Sequence, residues 1–260
     1  MYLGLDIGSS SSKAVLLGED GAILAAQVVN LGTGTRGPGQ VLEAAYAQAG
    51  RSPEEVAYTV VTGYGRMTWQ GADRQITEIS CHAKGVRHLS ADARTIVDVG
   101  GQDTKVIRLD STGAVENFVM NDKCAAGTGR FLEVMARVLD CPIQNLSDLA
   151  GQGSAPVSIS NLCTVFAESE VISHLSAGAA QANVAAGAIE SIATRIVGMA
   201  GRVGVVPQVV MTGGGALNRA LADALSRHLG HPVRVLGNPQ VMGALGAAVF
   251  ARESARKKNS

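Results

Sequence analysis

An eight-residue motif that occurs twice constrains this chain more than any other feature. Asp6–Lys13 reads DIGSSSSK and Asp98–Lys105 reads DVGGQDTK, so both follow D-x-G-x-x-x-[ST]-K, and they lie 92 residues apart. Each copy lies between two short apolar runs and is followed by a turn glycine, Gly21 or Gly113. A glycine- and serine-rich turn between two apolar runs is typical of a β-hairpin. The sequence therefore predicts two copies of one hairpin.

Both predicted turns carry groups that can hold phosphate. Glycine lets the backbone come close to a ligand, and backbone N–H groups and hydroxyls in such a turn bind phosphate oxygens. The aspartate at each strand end, Asp6 or Asp98, can hold Mg²⁺ through water. Lys13 either adds positive charge near the phosphates or covers apolar surface with its stem. One such turn alone could be an ordinary polar hairpin, but two matched copies favour phosphate binding. The predicted phosphate-binding residues are Gly8, Ser9, Ser10, Ser11, Ser12, Lys13, Gly100, Gly101 and Thr104.

A third glycine cluster lies in Val209–Asn218, which reads VVMTGGGALN. It predicts a buried strand, a glycine turn and a helix over Asn218–His228, because leucines then recur every four residues. Glycines at this junction would let a base and ribose lie against the backbone; close packing of strand on helix is the alternative. The predicted nucleoside-binding residues are Gly213, Gly214, Gly215 and Asn218.

A fourth stretch, Gly32–Gly37, matches G-x-G-x-x-G by letter. Pro38-Gly39 follows immediately, so we expect no helix to begin there. A dinucleotide site of this type needs a strand, a turn and a helix in succession. We therefore expect no such site.

Charge and composition exclude several classes of protein. The formal net charge is +0 and aromatic residues make up 3%, so nothing indicates a surface for nucleic acid. The N-terminus has no basic region and no long apolar run, which argues against a signal peptide. Polar residues interrupt the Ala/Gly-rich stretch Ser176–Val206, so we expect no membrane span. A cytoplasmic protein follows, and its four cysteines should not form disulfides.

Two of those cysteines, Cys124 and Cys163, each precede a helical pattern. Near a helix N-terminus the pKa of a thiol falls, which makes it a good metal ligand. Two cysteines are half of what a 4Fe–4S cluster needs, and a twofold dimer would supply the other half. Cys81 and Cys141 are interpreted as structural. The alternative is that Cys124 and Cys163 are structural as well.

The two turns and MTGGGALN resemble the phosphate and adenosine motifs of the acetate kinase/sugar kinase/Hsc70/actin superfamily. Within it, five further motifs are similar to the ATPase activators of 2-hydroxyacyl-CoA dehydratases. That family is related to the ATPase subunits of benzoyl-CoA reductase and to reductases of double-cubane cluster proteins. The five motifs are TGYGR (62–66), EISCHAKG (78–85), DVGGQDTK (98–105), CAAGTGRFLE (124–133) and CTVFAESEVI (163–172).

This resemblance implies an α/β fold of two duplicated actin-like (ribonuclease H-like) domains, with ATP in the cleft between them. We expect domain I over 1–91 plus 240–260, with a helix over Gln240–Arg252 packing back onto it. Domain II, over 92–239, would carry the cluster cysteines.

The resemblance also implies an ATPase that drives low-potential electron transfer in anaerobic metabolism. One 4Fe–4S cluster would bridge two identical subunits through Cys124 and Cys163 of each. The electron would pass from ferredoxin or flavodoxin to a dehydratase or a double-cubane cluster protein.

For ATP hydrolysis we expect Asp6 and Asp98 to serve Mg²⁺, and either Gln102 or Asp103 to orient the attacking water. Two alternatives stay open. One is a small-molecule kinase of the same superfamily, in which Asp103 is the base for a substrate hydroxyl. The other is a nucleotide sensor without turnover.

Overall fold

The computed structural model of this chain describes residues 1–121, 126–160 and 163–258. The chain divides into two compact units. The first contains Met1–Ala93, Leu109–Val115 and Gln240–Ser260, and the second contains Arg94–Arg108 and Glu116–Pro239. The turn Leu109–Val115, which the sequence-based division places in domain II, is thus grouped with the first unit.

Within the described residues the chain forms ten strands and eight helices. The strands are β1 (Tyr2–Ile7), β2 (Ser12–Leu17), β3 (Ile23–Val29), β4 (Tyr58–Thr62), β5 (Arg74–Gln75), β6 (Thr95–Val99), β7 (Thr104–Leu109), β8 (Val115–Asn121), β9 (Val209–Thr212) and β10 (Val233–Val235). The helices are α1 (Gly37–Ala49), α2 (Glu78–Leu89), α3 (Gly129–Val138), α4 (Leu146–Gly151), α5 (Thr164–Ser176), α6 (Gln181–Val203), α7 (Arg219–Leu229) and α8 (Met242–Lys258).

The first unit is built on a five-stranded sheet in the order β3-β2-β1-β4-β5. Strand β1 pairs antiparallel with β2 and parallel with β4. All of β1 is buried, because helices cover both faces of the sheet. Helix α1 packs through Val41 and Ala45 on one face. Helix α8 lies against the other so closely that a Cβ at Gly4 would overlap the Ala244 carbonyl.

The second unit repeats this arrangement with the sheet order β10-β9-β6-β7-β8. Strand β6 pairs antiparallel with β7 and parallel with β9, as β1 does with β2 and β4. Its core joins β6 and β9 to α3 and α6 through side chains such as Val97, Met211, Phe131 and Ile192. The two predicted hairpins are therefore confirmed, and each leads into the same sheet pattern.

Helix α6 is long and apolar enough to cross a membrane by length and composition alone. However, 67% of its most apolar window is buried inside the protein. Ile189, Ile192 and Ile196 of this helix belong to the core of the second unit. Its apolar character is therefore that of a core helix.

Two other sequence-based predictions about helices turn out differently. Helix α1 begins at Gly37, with Pro38 in its first turn, so the expectation that no helix begins there was wrong. Proline is favoured at the first helical position, since the N–H it lacks would have no partner in the helix there. Helix α8 runs to Lys258 rather than ending at Arg252.

Candidate functional site

The two copies of the motif occupy equivalent places in the two units. Asp6 lies opposite Lys13 in the β1–β2 hairpin, and Asp98 lies opposite Lys105 in the β6–β7 hairpin. In each turn the glycine two residues after the aspartate closes a backbone hydrogen bond. Gly8 N donates to Ser11 O at 3.0 Å, and Gly100 N donates to Asp103 O at 2.9 Å.

In the first turn the aspartate and the lysine form an ion pair. Asp6 is 5% exposed, and its Oδ2 lies 3.4 Å from Lys13 Nζ. The charge of Lys13 therefore lies near the end of β1, beside the carboxylate of Asp6. Ser10 is exposed at the tip of the turn. Ser12 is fully buried, and its hydroxyl donates a hydrogen bond to Leu31 O at 2.7 Å. The hydroxyl of Ser12 therefore has a structural partner in this structure.

In the second turn the lysine joins two carboxylates. Lys105 Nζ lies 2.7 Å from Asp103 Oδ2 and 3.5 Å from Asp98 Oδ2, and its side chain is 3% exposed. Thr212 at the end of β9 donates its hydroxyl to Asp98 Oδ1 at 2.8 Å. Both oxygens of Asp98 are thus held from within this unit. Sequence reasoning missed Lys105 and Thr212 as members of the site.

The two residues proposed to orient water are therefore in different situations. The carboxylate of Asp103 is engaged by Lys105 and lies against Gly100 of its own turn. Gln102 is exposed at the tip of the turn. This difference favours Gln102 as the group that can reach a water molecule.

The third glycine cluster has the predicted strand, turn and helix. A 3₁₀ turn over Gly214–Leu217 connects β9 to α7, and Gly214 is exposed in it. Gly213 has φ +83°, and a Cβ there would overlap the Val99 carbonyl, so the position requires glycine. Asn218 caps α7 by accepting a hydrogen bond from Leu221 N at 3.0 Å. Its side-chain oxygen therefore has a structural partner.

The first unit carries a matching turn that sequence reasoning did not pair with this cluster. Thr62-Gly63-Tyr64-Gly65 and Thr212-Gly213-Gly214-Gly215 are both T-G-x-G, 150 residues apart. Thr62 lies opposite Asp6 and Thr212 opposite Asp98 in the parallel strand pairs. Gly63 has φ +87° and lies against Asp6 and Ile7, as Gly213 lies against Asp98 and Val99. The shared tetrapeptide was the signal that could have identified the pair.

The start of α3 is attached to the turn 100–103 of the second motif copy. Gly129 N donates to Gly100 O at 2.8 Å, and Arg130 N donates to Gly101 O at 2.9 Å. Thr104, fully buried, donates its hydroxyl to Gly127 O at 2.6 Å. The first N–H groups of α3 are therefore satisfied by the turn.

Three of the four cysteines are described, and their surroundings differ. Cys163 is half-buried at the residue before α5, and its side chain makes no capping hydrogen bond. Cys81 is fully buried in α2, and this burial raises the pKa of its thiol to about 12. Burial, and then the charge of Asp140, raises the pKa of the half-buried Cys141 thiol. The prediction for Cys124 falls outside the described residues.

Known proteins resemble this chain over its whole length. The activator of lactoyl-CoA dehydratase from Anaerotignum propionicum is 53% identical over 259 residues, which are 99% of this chain and 100% of that protein. The (R)-2-hydroxyglutaryl-CoA dehydratase activating ATPase from Acidaminococcus fermentans is 46% identical over 256 residues, 98% of each chain. The solved structure of the activator of the 2-hydroxyisocaproyl-CoA dehydratase from Clostridium difficile with bound ADPNP matches with a TM-score of 0.96. It is 48% identical, over 100% of this chain and 97% of that one.

These likenesses confirm the predicted fold class, because the solved relatives have the actin-like ATPase fold. They also confirm the resemblance on which the prediction of an ATP-binding ATPase rests. Residues 3–251 match the family described as the BadF/BadG/BcrA/BcrD ATPase family. This chain is therefore a member of the BadF/BadG/BcrA/BcrD ATPase family.

Proposed function

We propose that this chain is the ATP-dependent activator of a 2-hydroxyacyl-CoA dehydratase, delivering single electrons at low potential. One observation carries the proposal: the full-length identity of 53% to a protein named as such an activator. A double-cubane cluster protein is the other acceptor that suits the same chemistry. We further propose that the chain acts in the cytoplasm as a homodimer, with ferredoxin or flavodoxin as the electron donor.

The described cysteines support a cluster shared between two copies of the chain. Cys163 is half-buried and makes no capping hydrogen bond, so its thiol is open to ligation. Cys81 is a poor ligand, since its thiol is fully buried within the first unit, and this burial raises the pKa of the thiol. Within 1–121, 126–160 and 163–258, no three His, Cys, Asp or Glu side chains come together to hold a metal ion. We assign four ligands to the dimer, Cys124 and Cys163 from each chain; a 4Fe–4S cluster there would supply a one-electron carrier.

The two phosphate turns support nucleotide turnover. Asp6 and Asp98 each lie one residue before the end of a strand, β1 or β6, beside a glycine-rich turn, where the carboxylate can hold a Mg²⁺ ion through water. We assign the exposed Gln102 to orient the attacking water, because Asp103 is paired with Lys105. Backbone N–H groups of the turns would bind the phosphates.

The same ion pair weakens the kinase alternative. A sugar-type kinase would use Asp103 as the base that accepts a proton from a substrate hydroxyl. In this chain the buried ammonium of Lys105 lies 2.7 Å from Asp103 Oδ2 and occupies that oxygen in an ion pair. Two relatives that match over 98% or more of this chain are also named as dehydratase activators.

Iron content tests the cluster assignment. Because each ligand position recurs in both chains, Cys124→Ser or Cys163→Ser removes two of the four thiolates at once. We expect either variant, purified anaerobically, to lose its iron while it still binds ATP. Cys141→Ser is the matched control, since that thiol is half-buried too, and it should keep full iron.

Two results would contradict the proposal. One is a full cluster in either of the first two variants. The other is native protein that sediments as a monomer with its iron retained. A colourless, iron-free native protein that still hydrolyses ATP would favour the kinase, and one without turnover would favour the sensor.

A further inference from the structure

The second phosphate turn is joined to the segment before α3 by two kinds of hydrogen bond. Thr104 donates its buried hydroxyl to Gly127 O at 2.6 Å. In the opposite direction, Gly129 N donates to Gly100 O at 2.8 Å. The turn is therefore hydrogen-bonded to both ends of the three-residue stretch 127–129, at the start of α3.

The first unit contains the same connection. Ser12, which matches Thr104 in the repeat, donates its buried hydroxyl to Leu31 O at 2.7 Å. Thr33 N donates to Gly8 O at 2.9 Å, as Gly129 N does to Gly100 O. The spacing from Leu31 to Thr33 is that from Gly127 to Gly129. The connection is thus part of the duplicated fold.

The segment to which the turn is hydrogen-bonded differs between the two units. In the first unit this segment is the loop between β3 and α1, which contains no cysteine. In the second unit it is the stretch from Gly127 to Gly129, which begins three residues after Cys124 in the chain. Asn121, on the other side of that cysteine, also donates through Nδ2 to Ala126 O at 3.0 Å. It accepts in turn from Arg195 of α6 at 3.2 Å.

Peptide planarity makes this connection sensitive to a ligand on the turn. The Gly100 carbonyl and the Gly101 N–H belong to one rigid peptide group, and the Gly101 carbonyl and the Gln102 N–H to the next. Both carbonyls accept hydrogen bonds from the start of α3. If the N–H groups bind phosphate, the carbonyls must turn with them.

We propose that Thr104 is a positioning residue that transmits nucleotide occupancy of the second turn to the segment 126–131, which begins two residues after Cys124. This inference rests on the proposed function, in which Cys124 is a cluster ligand and ATP binding acts on the segment next to it. A ligand shifts an equilibrium only through contacts that differ between two states. Thr104 supplies one such contact, because its hydroxyl fixes Gly127 to the turn that binds the nucleotide.

The test compares Thr104→Val with Thr104→Ser and with the matched control Ser12→Ala. Valine has nearly the shape of threonine but lacks the hydroxyl, serine keeps it, and Ser12→Ala removes the equivalent bond in the other unit. Hydrogen–deuterium exchange is measured on the full-length, anaerobically purified protein, with and without ADPNP and Mg²⁺, on peptides covering 126–138. In parallel, an iron chelator removes the cluster with and without nucleotide, and ADPNP affinity is measured for each variant.

In the wild type we expect nucleotide to change both the exchange rate at the start of α3 and the chelation rate by about threefold or more. Thr104→Val should bind ADPNP within a few-fold of wild type yet lose both responses. Thr104→Ser and Ser12→Ala should keep them. The inference is overturned if Thr104→Val retains the responses, if Ser12→Ala loses them equally, or if the nucleotide-bound wild type shows no response. A native protein without iron would refute the proposed function, while the exchange measurement would still decide this inference.

Discussion

At the scale of single residues, the repeated motif has two different charge arrangements. Lys13 faces one carboxylate, Asp6, whereas Lys105 lies between two, Asp98 and Asp103. The extra carboxylate arises because Asp103 stands where the first copy has Ser11. Lys105 is also the more deeply buried ammonium, and a buried ion that loses its partner costs about 3–5 kcal/mol. The second turn is therefore the more tightly constrained of the two.

Cys81 gives a prediction about pH at this scale. Burial raises the pKa of its thiol from 9.0 to about 12 in the folded protein. Between pH 9 and pH 12 the Cys81 thiol is ionised in the unfolded chain but still protonated in the folded protein. The contribution of this thiol to the free energy of unfolding is therefore complete below pH 9 and is lost as the pH rises towards 12. Relative to Cys81→Ala, the wild type should lose about 1.4 kcal/mol of unfolding free energy between pH 8 and pH 10.

Urea denaturation of both proteins at the two pH values checks this difference. Other groups titrate in both proteins alike, so they cancel in the comparison. An unchanged difference would show that the Cys81 thiol ionises in the folded protein as it does in the unfolded one.

At the scale of elements, α2 and α8 cross at two glycines. A Cβ on Gly246 would overlap the Cys81 carbonyl, and one on Gly85 would overlap the Met242 carbonyl. The backbones therefore touch at the crossing, and α8 in turn lies on β1. This contact supports β1, the strand that carries Asp6.

Gly246→Ala should consequently destabilise the protein by about 1–3 kcal/mol, since the added methyl group has no space. Gly198→Ala is the matched control: it lies inside α6, and a Cβ there would meet nothing within 4 Å. In the control, the higher helix propensity of alanine should stabilise by about 0.5–1 kcal/mol. Thermal or urea unfolding measures the change in unfolding free energy of each variant, which should be opposite in sign for the two. Equal changes in unfolding free energy for the two variants would mean that α2 and α8 can move apart at Gly246 without loss of stability.

At the scale of the whole molecule, two units with the same strand order each carry an aspartate at the penultimate residue of the central strand. The repetition covers the hairpin, the T-G-x-G turn and the connection to the next helix. If both carboxylates serve ATP turnover, neither unit can replace the other.

We therefore expect Asp6→Asn and Asp98→Asn each to lower ATP turnover by about 100-fold or more, corresponding to about 2.7 kcal/mol of transition-state stabilisation. The fold should persist, because asparagine has nearly the same shape. Asp20→Asn, at an exposed turn position that accepts from Ala22 N, is the control and should keep its activity. Steady-state hydrolysis with circular dichroism measures both properties. Turnover like that of the wild type in Asp98→Asn would remove that residue from the site.

The sequence by itself determined the two hairpins, the strand–turn–helix unit at Val209–Asn218 and the family. These depend on local chemistry: alternating apolar runs, glycine where the backbone needs it, and motifs of fixed spacing. Helix α1 was missed for a local reason too, since Pro38 was taken as a helix breaker although proline is favoured in the first turn.

Only the tertiary structure decided which side chains meet. Ser12 and Thr104 read as phosphate ligands in the sequence, yet each hydroxyl is buried against a carbonyl 19 or 23 residues further along the chain. Lys105 pairs with Asp98 seven residues away because the hairpin places them opposite each other, and Thr212 reaches Asp98 across a parallel strand pair. Hydrogen bonds between distant segments depend on sheet register and helix packing, which the core of each unit fixes and no local pattern records.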